Sequence, residues 1–138
     1  KNMFGIIPDR KKSRLHKKLV DVILYINKVV RQDLIVVDAL TAMEGLGPIW
    51  GTPVKMNLLI SGRNPAAVDA VCCKVMGINP YSVEVLWRAY KNGMADINIE
   101  KIEVVGESLD EVKRRFAYPT FLKRNLIGAL RTVIKTYI

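Results

Sequence analysis

The sequence predicts an α/β fold: one domain, with a small mixed or parallel sheet of roughly three to five strands flanked by helices and a basic helix at the C-terminal end. Three observations carry this. Two short apolar runs, Leu34–Val37 and Met56–Ile60, are bounded by turn residues and read as buried strands. Residues 14–30 place Leu15, Leu19, Val22, Ile23, Ile26 and Val30 three and four apart, the spacing of an amphipathic helix lying on a sheet. The second strand is followed at once by Asn64-Pro65, a helix start. A chain of 138 residues, half of them apolar and a quarter charged, suits one ordinary globular domain with a core of its own.

Taken in order, Lys1–Ile7 is a short mixed run stopped by Pro8, and Ser13 is placed to cap the first helix. His16, the single histidine, sits among lysines and is expected to face solvent. Residues 33–38 form the first strand. Thr41–Pro53 reads as a long glycine loop, longer than most connections and therefore a candidate for function. It is neither a dinucleotide fingerprint, since no helix opens directly after it, nor a phosphate loop, since it lacks Lys-Ser/Thr. Val54–Ser61 is the second strand. The helix from Pro65 ends near Met76, with Gly77 as its stop. Ser82 is placed to cap a helix running through Tyr90. Lys101–Val105 alternates and reads as a third strand. Ser108 and Glu111 match a capping box for a short helix to about Phe116.

The chain therefore divides into an α/β domain over 1–116, with room for an upstream part, and an amphipathic helix within 117–138. Leu122, Leu126, Ala129, Leu130, Val133 and Tyr137 form the stripe of this helix, and Lys123, Arg124, Arg131 and Lys135 supply its charge. It can pack on its own domain, on a second copy of the chain, or on an anionic membrane surface. A membrane-spanning segment and a secretory leader are not expected.

Charge is unevenly spread. Residues 1–31 carry nine Lys/Arg against Asp9 and Asp21, net +7; residues 32–112 are net −5; residues 113–138 carry seven cations and no acid. Docking of the basic ends on the acidic centre fits this pattern. Nucleic-acid binding is not expected, because the basic ends lack the interleaved aromatics of single-strand binders. Cys72 and Cys73 are adjacent and match no metal spacing. They read as buried free thiols in a reducing cytoplasm.

The chemistry-bearing residues cluster around 38–69. Asp38 ends a strand, Glu44 sits in the glycine loop and Asp69 lies near a helix N-terminus. Converging at one sheet edge, they would hold a hard divalent cation or work as an acid–base set. Each also has a structural reading: Asp38 holding backbone amides, Glu44 solvated, Asp69 favouring the helix start. Lys1, Lys55 and Arg63, with the amides of Gly45, Gly47 and Gly51, would suit an anionic ligand. Trp50 is a stacking wall or a packing residue.

Over residues 1–107 the chain resembles domain-of-unknown-function family 362. The residues that carry the resemblance are Lys1, Asn2 and Gly5 of KNMFG; Asp38, Met43, Glu44, Gly45, Gly47, Pro48 and Gly51 of DALTAMEGLGPIWG; Pro65, Val68, Asp69 and Ala70 of PAAVDAV; and IEVVGE at 102–107. The resemblance adds Asn2 to the ligand-binding candidates. It also implies an iron–sulfur-associated, redox-linked context, since family members are associated with ferredoxin-type motifs. A cluster needs four thiolates at defined spacing, so it would reside on a partner protein or domain. Two functions follow as expectations: a redox-linked enzyme or enzyme domain with its ligand or metal site at 38–53, or a non-catalytic accessory module for an iron–sulfur partner.

Overall fold

The computed structural model describes residues 2–9 and 11–118, and the helix expected over 120–137 lies outside them. After a 3-10 turn at Asn2–Ile6 and a 3-10 stretch at Lys12–Lys18 come α1 (Leu19–Val29), β1 (Ile35–Leu46), β2 (Trp50–Gly62), α2 (Pro65–Val75), α3 (Glu84–Lys91) and α4 (Leu109–Val112). The class is the α/β one, a small sheet flanked by helices. The sheet is smaller than expected and runs the other way: β1 and β2 form a two-stranded antiparallel hairpin. The expected third strand at 101–105 is not formed. A 3-10 turn occupies Ile99–Lys101 and Val105 is 84% exposed. Alternation there is a local pattern, and among the described residues β1 and β2 pair only with each other.

The first helix begins later than its periodicity suggests. Lys11, Lys12, Arg14, Lys17 and Lys18 crowd its start, where the macrodipole disfavours cations. No side chain caps either Lys12 or Leu19. The chain takes the tighter 3-10 path until Asp21 enters the first turn of α1. Asp21 also pairs with Arg88, tying α1 to α3. At α2 the local signals hold. The Asn64 side chain accepts from the amides of Ala66 at 3.0 Å and Ala67 at 3.1 Å, Pro65 opens the helix, and Gly77 ends it at φ +71°. Ser82 does not cap α3; its hydroxyl donates to the Asn79 carbonyl, and Val83 stands at the cap. Ser108 makes no side-chain cap, and α4 stops at Val112. The following residues extend instead, because the N–H groups of Arg114 and Phe116 bond to the carbonyls of Val75 and Met76 at 2.8 and 3.1 Å. These bonds satisfy acceptors that the end of α2 leaves open.

The core sits between α2, α3 and the segment after it: Ala70, Cys73, Leu86 and fully buried Ile97, flanked by Ile78, Val83, Ile99 and Ile102. α1 adds Ile23, Leu24 and Ile26. No strand residue is buried.

Candidate functional site

The stretch expected to be a glycine loop is the distal half of the hairpin. Pairing runs without a break from Thr41 opposite Lys55 to Leu46 opposite Trp50, leaving Gly47–Ile49 as the turn. The register slips between Ala39/Leu58 and Thr41/Lys55, so Met56 and Asn57 together oppose Leu40. Asn57 takes the left-handed conformation, φ 53°, that this bulge needs. On β2 the half-buried positions stay even from Val54 to Gly62, whereas on β1 they run Ile35, Val37, Ala39 and then Ala42, Glu44. The bulge therefore turns Asp38 and Glu44 to opposite faces of the ribbon.

Each carboxylate has a local backbone partner. Asp38 is exposed and accepts from the Leu40 amide at 2.9 Å. Glu44 accepts from the Ala117 amide at 2.7 Å, while the Gly45 amide donates to the Ala117 carbonyl at 3.1 Å. Glu44 is thus a latch that fastens the segment after α4 to the hairpin tip. The glycines near it do not form an anion cradle. The Gly45 amide is taken, and Gly51 gives the Met43 side chain room to cross the ribbon, a Cβ there also meeting the Glu44 carbonyl at 2.9 Å. Asp69 lies apart on α2. Among the described residues no group of three or more His, Cys, Asp or Glu side chains is placed to hold a metal ion. The expected convergence of Asp38, Glu44 and Asp69 on one cation is not met. A bulge that reverses one strand's parity and a latch at the tip separate them.

A cleft of about 890 Å³ opens instead at the hairpin root, between the end of α1, the first residues of β1, the start of α2 and the inner face of α3. Asn2, Arg63 and Asp69, three of the residues singled out from sequence, line it together. Lys1 lies outside the described residues. Lys28, Arg31 and Asp33 also face the cleft and were missed, although the polar run after α1, just before a strand, was the available signal. Arg31 stands 3.7 Å from Asp33; Lys28 and Arg63 have no ion pair among the described residues. The wall of the cleft is apolar, with Leu24, Leu86 and Ala89. Asp69 keeps solvent contact, but its neighbours strip water from one side, and this desolvation pushes its carboxyl above the ordinary value. The amides at the start of α2 are engaged by Asn64, so positive charge here comes from side chains.

Behind Asp69 lie the two free thiols, Cys73 buried and Cys72 partly so. Burial, and then the charge of Asp69, push both up to about 11. Two adjacent cysteines, the only two in the chain, cannot supply the four thiolates of an iron–sulfur cluster, and no step is derived through one. No helix among the described residues is long and apolar enough to cross a membrane.

The fold and cleft define a small α/β domain with a polar-rimmed cleft and a projecting hairpin. A family model described as Domain of unknown function (DUF362) matches residues 1–74, more than half of the chain, and the chain belongs to that family. It is also similar to the thylakoid-associated protein sll1697 of Synechocystis sp. (strain ATCC 27184 / PCC 6803 / Kazusa), 27% identical over 90 residues. That match covers 60% of this chain and 28% of the relative. No solved structure matches the chain.

Proposed function

We propose that this chain is a ligand-binding domain whose working site is the cleft at the hairpin root, and that it takes a small anionic ligand, a phosphate or carboxylate. The observation that carries the reading is the meeting of Arg63, Asp69 and Asn2 in one cleft whose rim also presents Lys28. A guanidinium offers paired donors in the geometry of a phosphate or carboxylate. Asp69, with its raised pKa, is the group suited to hold and deliver a proton there. In the redox-linked enzyme reading, Asp69 is the acid–base residue and the remaining chemistry belongs to a partner. The free, unbridged thiols support a reducing compartment such as the cytoplasm.

Thermal shift with inorganic phosphate and with succinate tests the site. A ligand that binds the native state alone raises stability by about 2.7 kcal/mol at a hundredfold excess over its Kd. One of the two probes is expected to raise the Tm of the wild-type chain and to lose that effect in Arg63→Ala. Glu44→Gln, outside the cleft, retains it. Flat melting curves with both probes, or equal shifts in wild type and Arg63→Ala, would refute the reading.

The second reading, a non-catalytic accessory module for an iron–sulfur partner, is favoured by a different observation: the hairpin's apolar surface is uncovered among the described residues. Co-purification with a cluster-bearing protein, undisturbed by Arg63→Ala, would support it.

A further inference from the structure

The cleft at the hairpin root is larger and more apolar than an inorganic anion needs. Its volume is about 890 Å³. A water's share of liquid volume is about 30 Å³, so a phosphate ion, with roughly the bulk of three waters, leaves most of the cleft unfilled. Clefts of about 300–1,000 Å³ take organic molecules of drug size. Much of the remaining surface is apolar. Leu24, Leu86 and Ala89 are buried in the wall, while Val29, Leu34 and Val36 line the cleft at 57%, 65% and 59% exposure. Exposed aliphatic side chains scattered singly need no explanation, but gathered around a cleft with a polar rim they mark a groove that an apolar body covers. Charge is nearly balanced along the same lining. Lys28, Arg31 and Arg63 stand against Asp33 and Asp69, three cations to two acids, and Arg31 is beside Asp33. The surplus of one positive charge matches one anionic group. A ligand with several charges would press some of them against the aliphatic wall, where nothing offsets their lost hydration.

We propose that the cleft binds an anionic amphiphile, with one carboxylate or phosphate head held by Arg63 and Lys28 and an aliphatic tail laid over Leu24, Leu86 and Ala89 and leaving past Leu34 and Val36. This rests on the cleft being the anion site argued above, and adds the chemistry of the rest of the ligand. The guanidinium of Arg63 supplies paired donors to the head. The tail removes from water aliphatic surface that the chain itself leaves open, and each buried methylene then strengthens binding about fourfold. Fatty acids and monoalkyl phosphates share this chemistry and differ in the head alone.

The test is isothermal titration of the whole chain with butanoate against octanoate and with butyl phosphate against octyl phosphate, all below the concentrations at which they form micelles. The longer member of at least one pair is expected to bind about fifteenfold tighter, which burial of half the four added methylenes gives. The pair that responds tells a fatty acid from an alkyl phosphate. Arg63→Ala is expected to weaken the octyl ligand about tenfold, and 1-octanol, which lacks the head, to bind about tenfold more weakly than the octyl anion. Leu34→Gln, at an exposed position, is expected to shrink the octyl preference and leave the butyl affinity unchanged. In NMR titrations the octyl anion is expected to shift the amides of Leu34, Arg63 and Ala89 and leave those of Ile49 and Trp50 in place. Equal affinity within both pairs would overturn the amphiphile and leave the anion site standing. Octanol as tight as the anions, an octyl preference untouched by Arg63→Ala or by Leu34→Gln, or shifts confined to Ile49 and Trp50 would show adsorption of the tail alone and overturn it as well. Absence of binding by all four anions would refute the amphiphile and the anion site together.

Discussion

Replacing Glu44 separates a structural latch from a catalytic carboxylate. Its oxygen accepts the Ala117 amide at 2.7 Å, and the neighbouring Gly45 amide returns a second bond to the Ala117 carbonyl. A hydrogen bond to an ionised acceptor contributes ~1.5–3 kcal/mol. Glu44 is only half-buried, which places the loss in Glu44→Ala at the low end, about 1.5 kcal/mol, or roughly tenfold in the local opening equilibrium. Glu44→Gln keeps an acceptor of the same reach without the charge. Neutral bonds are about half as strong, so the expected change is about threefold. Amide exchange followed by NMR reads both: the Ala117 and Gly45 amides exchange about ten times faster in the alanine chain and about three times faster in the glutamine chain, while Leu86 and Ala70 in the core hold their rates. Identical Ala117 exchange in wild type and Glu44→Ala would refute the latch.

The other expected outcomes concern the core and the wall of the cleft. Ile97→Ala empties a fully buried position at the centre of the core and is expected to cost about 2–5 kcal/mol in denaturant unfolding. Cys72 and Cys73, raised to about 11, are expected to react with iodoacetamide at pH 8 on the order of a hundredfold more slowly than after unfolding, because the thiolate is the nucleophile. Asp69 binds its proton more tightly folded than unfolded, so its contribution to stability falls as pH rises from its unfolded value of 3.8 through its higher folded one. Asp69→Asn is therefore expected to raise the Tm at pH 7 and to lose that advantage below about pH 3.8, as measured by thermal melts across pH.

What was legible from sequence depended on how far the deciding contact lies along the chain. α2 was readable because Asn64, Pro65 and Gly77 act on their nearest neighbours. The hairpin was not. Thr41–Pro53 has the glycines and prolines of a loop, and only the pairing of Ile35 with Gly62 and of Leu46 with Trp50 makes it two strands. The same limit explains Lys101–Val105, whose alternation finds no paired strand among the described residues. Asp38 and Glu44 were read as converging at one sheet edge, with Asp38 ending a strand and Glu44 in the loop after it. The bulge at Asn57 on the opposite strand reverses that, and nothing near Asp38 announces it. Arg63 and Asp69 were readable since they flank a recognisable helix start, whereas Lys28 and Arg31 join them only because α1 and α2 both pack against α3.

The hairpin thus holds two different surfaces at its two ends, and this separation makes both readings testable in one molecule. The root contributes Ile35, Val36 and Arg63 to the cleft; the tip contributes Gly45 and Glu44 to the latch. Among the described residues the ribbon is held to α2 at both ends, by Gly62 packed against Val68 and by the segment that bonds first to Met76 and then to Gly45. At Gly62 a Cβ would stand 2.7 Å from a Val68 methyl, so the close approach at the root requires glycine. If the two surfaces work independently, Glu44→Ala loosens the tip and leaves phosphate or succinate binding at Arg63 unchanged. If loosening the tip weakens binding at the root, α2 and the ribbon act as one element.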